Sequence, residues 1–136
     1  MSTRTLVLLK PDAVERGLIG AILGRFEQKG LRPVAMELRT LDTATLERHY
    51  EEHVGKGFYA DLVAFMSRGP VVALALEGPE DTWEIVRAMM GATNPAKSAP
   101  GTIRGDFGTL FTENLVHGSD SAESAARELG IFFPGL

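Results

Sequence analysis

The chain has no cysteine. Disulfides, thiol nucleophiles and cysteine-bound zinc are therefore excluded, and the composition accords with the cytoplasm, where the protein is expected to reside. Positive charge is also scarce: 14 Lys and Arg stand against 18 Asp and Glu, a formal net charge of −4. That balance argues against dedicated nucleic-acid binding, which demands a basic face, although a few converging cations can still hold a smaller anion. No apolar run approaches the ~20 residues needed to span a bilayer, so no membrane partner is expected. Met1-Ser2-Thr3-Arg4 leads into a short apolar run with no small-residue cleavage site before Lys10-Pro11, which argues against a secretory leader.

What is present describes a single globular domain over 1–136, with 44% hydrophobic and 24% charged residues. Thr5 to Leu9 is nearly all apolar and predicts a buried strand with Lys10 at its end. Ile19, Ile22, Leu23 and Phe26 follow helical spacing up to Gly30. Val34, Met36 and Leu38 alternate with Ala35, Glu37 and Arg39 as in a half-exposed strand. A helix from Asp42 or Thr43 to about His53 follows, then one carrying Phe58, Leu62 and Phe65. Pro70 opens a second apolar strand, Val71 to Leu76, and Asp81 to Met90 is helical up to Gly91. Strand 114–117 and helix 121–129 complete the order. The skeleton β-α-β-(αα)-β-α-β predicts an α+β fold: a ferredoxin-like βαββαβ sandwich with a four-stranded antiparallel sheet. Its two extra helices lie between the middle strands, and helices cover one face.

Residues 91–113 have little periodicity but four glycines and two prolines, a combination that marks a functional or disordered segment. Gly91 to Ser98 imitates a Walker A loop, but Ala96 occupies the second glycine and a helix precedes it where a strand is required. His49 and His53 share a helical face. Tyr50 stands where a zinc protease needs its glutamate, so two solvated histidines are the simpler reading. Lys10 alone reads as a strand-end gatekeeper, Arg87 as a surface arginine, and Phe58 as a core residue by its spacing. Arg104, flanked by glycines in Gly101-Thr102-Ile103-Arg104-Gly105-Asp106-Phe107, could bring a guanidinium fork against phosphate. The octapeptide from Asn114 to Ser121 delivers His117 from a strand end into a short polar loop, with Asp120 and Glu123 spaced as a capping box for the next helix. A fixed, exposed imidazole suits a nucleophile or proton carrier; it equally suits a surface turn. Glu128, on the last turn of the final helix, is either solvated or orients that imidazole.

Lys10-Pro11-Asp12-Ala13-Val14, Thr93-Asn94-Pro95-Ala96, the Arg104 heptapeptide and the His117 octapeptide, in this order and spacing, resemble the nucleoside diphosphate kinase family. The resemblance extends from about Thr5 to Phe133. It implies that His117 is the nucleophile and becomes phosphohistidine at Nδ1. Lys10, Arg87, Thr93 and Arg104 would hold the di- or triphosphate, and Asn114 with Lys10 would contact the ribose. Phe58 would stack on the base, Tyr50 would sit beside the transferring group, and Ser119 and Glu128 would fix the imidazole. Mg2+ would ride on the nucleotide phosphates, with Asp120 acting through water and no direct protein ligand. The implied activity is reversible ping-pong transfer of a terminal phosphoryl group, mainly from ATP, to a nucleoside diphosphate. The implied assembly is a homo-oligomer built from dimers.

Lys56-Gly57 departs from the arginine-proline of many members, and glycine there should loosen the base-side helix pair. Ala92 and Lys97 replace acidic residues and make the nucleotide-side loop more cationic. The short tail after Phe133-Pro134 points to a bacterial-type member. Two other readings of the same residues are a phosphohistidine relay protein and a non-catalytic oligomeric module on the same fold. The first would not need the cradle of Asn114, Phe58 and the arginines.

Overall fold

The computed structural model describes residues 3–136, which form four strands and seven α-helices. Strand β1 is Thr3–Leu9, followed by helices α1 (Pro11–Glu15) and α2 (Ile19–Gln28), then strand β2 (Arg32–Arg39). Helix α3 (Thr43–His49) and a 3-10 turn at Glu51–His53 lead to α4 (Tyr59–Ser67) and β3 (Val71–Gly78). Helix α5 (Thr82–Met90), a 3-10 turn at Pro95–Lys97, α6 (Ile103–Phe107), β4 (Val116–Gly118) and α7 (Ala122–Phe132) complete the chain. The sheet is antiparallel throughout, in the order β2-β3-β1-β4, as the predicted α+β ferredoxin-like sandwich requires.

Helices cover both faces of the sheet, not one. Leu6 and Leu8 of β1 pack in one core with Leu46 of α3, Met66 of α4 and Phe132 of α7. Val7 and Leu9 pack in the other with Ile22 and Phe26 of α2 and Val86 and Met90 of α5. The reason lies in β1: a strand with no polar alternation has no face to offer water, so both sides must be covered. Each fully buried leucine or phenylalanine contributes roughly 1.5–3 kcal/mol, so the central strand anchors both layers.

Several local expectations are corrected. Segment 91–113 is ordered by two short helices, the second capped by Thr102, whose hydroxyl accepts from Gly105 N–H. Pro11 at the first helical position starts α1, which has no apolar periodicity of its own. The last helix is capped by Ser121, whose hydroxyl accepts from Ser124 N–H, so Asp120 and Glu123 form no capping box. That helix continues to Phe132 because Phe132 has core to bury. Glu128 is therefore well inside α7, not on its last turn.

Candidate active site

Strand β4 is short, but its register sets the site. His117 pairs with Leu8, while Gly118 and Val116 pair with Val7 and Leu9. Paired residues share a face, so His117 joins Leu8 on the side of α3 and α7, and Val116 and Gly118 face α5. Gly118 lets β4 and α5 pack closely: a Cβ would lie 2.6 Å from Met90 Sδ and 3.1 Å from Val86 Cγ1, so those side chains would have to shift. Helices α3 and α7 then present His49, Tyr50 and Glu128 to the imidazole. All three are separated by at least 11 residues from His117, a distance along the chain that only the tertiary fold can close.

His117 lies inside the strand and is about one-fifth exposed, not free in a loop. Its Nε2 is 2.8 Å from Glu128 Oε1, and the Ser119 hydroxyl donates to the same oxygen at 2.7 Å. Burial works to raise the Glu128 carboxyl, but the hydrogen bonds from His117 and the Ser119 hydroxyl hold it below the usual carboxylate range. An ionised carboxylate only accepts, so Nε2 carries the hydrogen and Nδ1 keeps the lone pair.

His49 is buried, contrary to the expected solvated histidine. Its ring stands edge-on to His117 with centroids 4.7 Å apart and planes at 84°. Burial, reinforced by His117, lowers its pKa to about 3, so the ring is neutral. Tyr50 packs against it at 4.4 Å, and burial pushes the Tyr50 phenol upward. A cavity of about 310 Å³ opens over these groups and is lined also by Arg87, Asp120 and Arg127. Arg87 is exposed and donates to Gly118 O at 3.3 Å, placing its guanidinium beside the histidine strand. Asp120 is exposed at the same mouth.

Lys10 and Asn114 meet across the strand end: Lys10 Nζ donates to Asn114 Oδ1 at 2.8 Å, and Asn114 Nδ2 donates to Thr93 O at 3.1 Å. Burial and the Arg104 charge lower the Lys10 pKa to about 8. Arg104 sits on α6 with 5% exposure, not in a long irregular loop. Its guanidinium donates to the carbonyls of Asn114, Gly91 and Val116 at 3.1, 3.3 and 2.7 Å. Those bonds fix the loop walls and use three of its five N–H groups, leaving donors for an anion. Burial and the Arg87 charge lower its pKa to about 10. Gly91 caps α5 at φ +88°, so the Walker-like segment follows a helix.

Phe58 is half-exposed at the N-terminus of α4, not a core residue. A second cavity of about 520 Å³ lies against it and is lined by Lys10, Leu62, Phe65, Phe111, Thr112 and Asn114. Lys10 and Asn114 thus stand between an aromatic hollow and the Arg104 wall. Sequence reasoning missed Phe111, which is 60% exposed, although a Leu-Phe pair in a polar loop was a visible signal. It also missed Asp12 as a strut to Leu115, and His49 as a neighbour of His117. No linear signal marks either.

A family model described as nucleoside diphosphate kinase matches residues 3–136. A nucleoside diphosphate kinase of a Nocardioides species is 63% identical over 136 residues, covering 100% of both chains. One from Streptomyces griseus is 63% identical over 137 residues, covering 100% of this chain and 99% of that protein. Among solved structures, a halophilic nucleoside diphosphate kinase from Halobacterium salinarum in complex with CDP superposes with a TM-score of 0.93 at 45% identity, over 98% of this chain and 88% of that one. A nucleoside diphosphate kinase family protein from Babesia bovis gives 0.92 at 49% identity, over 96% and 87%.

Proposed function

The chain belongs to the nucleoside diphosphate kinase family, and on that premise we propose how its residues perform the transfer. The protein is a nucleotide phosphotransferase, moving the terminal phosphoryl group of a nucleoside triphosphate to a nucleoside diphosphate. The observation that carries the mechanism is the 2.8 Å contact between His117 Nε2 and Glu128 Oε1, which reserves the Nδ1 lone pair for attack. In the first half-reaction Nδ1 bonds to the γ-phosphorus as the bond to the β–γ bridging oxygen breaks, and the diphosphate leaves. Glu128 offsets the positive charge that develops on the ring, and Ser119 keeps the carboxylate in place. The second half-reaction reverses these steps onto another diphosphate. Phosphohistidine is a phosphoramidate, so the intermediate retains the transfer potential that a serine ester would lose.

The transition state is loose and metaphosphate-like, so positioning and charge carry most of the catalysis. Arg87 and Arg104 hold phosphate oxygens with Lys10 and Thr93, and Lys10 and Asn114 meet the ribose. Phe58 supplies the base platform in the aromatic hollow, and Tyr50 borders the transferring group. The cavity over His117 is lined by Glu51, Glu52, Asp120 and Glu128 against only Arg87 and Arg127. A polyphosphate entering among four carboxylates needs a divalent cation, and these hard oxygens, Asp120 foremost, suit Mg2+ held through water. When bound on the nucleotide, Mg2+ neutralises β- and γ-phosphate charge.

The working molecule is a single kinase domain, placed in the cytoplasm and assembled as a homo-oligomer of dimers. Support for the dimer comes from β2, an edge strand with Met36 57% and Leu38 61% exposed, an apolar row suited to a second copy. Among the described residues no helix is long and apolar enough to cross a membrane. Incubation with ATP, Mg2+ and a second nucleoside diphosphate tests the reading. The new triphosphate should appear with ADP in equal amounts, and its absence from a folded, nucleotide-binding protein overturns the proposal.

A further inference from the structure

Three metal-ligating side chains converge at the floor of the His117 cavity. One ligand atom each of His49, His117 and Glu128 lies within 4.8 Å of the other two. His49 is only 3% exposed, and neither ring nitrogen has a hydrogen-bond partner. Leaving such a group unsatisfied is costly, and phosphoryl transfer as derived above gives it no task. The cavity reaches all three side chains, and its carboxylate-rich lining attracts cations. Two imidazoles and one carboxylate with an open fourth position form a zinc-type donor set, whereas Mg2+ prefers oxygen ligands and retained water.

We propose that His49, His117 and Glu128 form an inhibitory site for one Zn2+ ion, distinct from the cation carried by the nucleotide. Tetrahedral coordination needs metal–ligand distances of about 2.0–2.2 Å, so His49 closes inward and the His117–Glu128 pair opens around the ion. The ion replaces the proton shared by Nε2 and Glu128, and that proton is released to solvent. Coordination draws electron density from the ring and removes the carboxylate that orients it. A zinc-loaded chain therefore does not accept a phosphoryl group. Zn2+ binding is a property of these three side chains alone, whereas its inhibitory effect rests on the transfer mechanism proposed above.

The chain has three histidines, which makes the test direct. Metal-free protein is titrated with ZnCl2 by calorimetry while long-range 1H–15N spectra follow the rings of His49, His53 and His117. One ion per chain should bind, shifting the ring nitrogens of His49 and His117 and leaving His53 unmoved. MgCl2 alone should move none of them. His49→Phe and His49→Gln should each weaken Zn2+ binding by about tenfold or more. No binding, a shift confined to His53, or undiminished affinity in a folded His49 variant overturns the proposal. If both variants fail to fold, the ring shifts of the unaltered protein decide it.

Discussion

The Asp12 carboxylate accepts the Leu115 N–H at 3.1 Å, across 103 residues of chain, at a position where Leu115 has φ +74°. A left-handed leucine costs roughly 1–2 kcal/mol and needs its surroundings to hold it. Lys10 N–H donates to Leu115 O at 2.8 Å and completes the clamp. The kink sits between Asn114 and His117, so it sets both the ribose-side amide and the nucleophile's strand.

Asp12→Ala should therefore destabilise the protein by about 1–3 kcal/mol, by leaving a buried N–H unpaired. Denaturant melts read this directly. Turnover should fall along with stability, because Asn114 and His117 lose their common support. A wild-type melting midpoint would remove the clamp from the account.

Lys10 gives a pH dependence. Its pKa is lowered to about 8 by burial and by Arg104. The folded chain thus releases this proton before the unfolded chain does, and Lys10 contributes rising stability as pH increases from about 8 toward its ordinary 10.5. Nucleotide affinity follows the opposite direction, because the ammonium is lost as pH passes about 8. Calorimetry of ADP binding just above that pH, in buffers of different ionisation enthalpy, should show proton uptake. Lys10→Met should abolish the uptake.

Glu128→Gln keeps an acceptor for His117 Nε2–H and removes the charge. The loss of a charge-assisted bond, about 1.5–3 kcal/mol, corresponds to roughly a tenfold to hundredfold slower phosphoryl transfer. The KM for nucleotide should change little, since Glu128 meets the imidazole and not the ligand. A raised KM with unaltered kcat would place Glu128 in nucleotide binding instead.

Phe58→Ala should weaken all nucleotides by a similar factor, on the order of 1–3 kcal/mol, because stacking does not read base edges. Phe111→Ala should act in the same direction, since Phe111 lines the same hollow. Equilibrium binding of ADP, GDP and CDP separates the outcomes. An effect confined to purines or to pyrimidines contradicts a sequence-blind platform.

Legibility in the sequence followed the range of the interactions. The succession of elements and the β1 and β3 strands were readable because their patterns are local. The His117 octapeptide and the Arg104 heptapeptide were readable because each motif is contiguous. His49 was not: its spacing to His53 suggests a shared solvated face, while α3 ends at His49 and turns it under His117. The second covered face was implicit in β1, where the consecutive apolar run Leu6 to Leu9 offers water no polar side on either face. Arg104's main-chain bonds depend on where β4 and the end of α5 come together, which no spacing along the chain encodes.

The central claim is that His117 carries the phosphoryl group. Mixing the protein with ATP and Mg2+, without an acceptor, and quenching on the millisecond scale measures it most directly. The account predicts a burst of ADP near one per chain and a protein-bound phosphate that is labile in acid and stable in base. Adding a second nucleoside diphosphate should then discharge that phosphate as the triphosphate. His117→Asn should bind nucleotide and show neither burst nor transfer. A folded His117→Asn protein that still forms the acid-labile phosphoprotein would contradict the assignment.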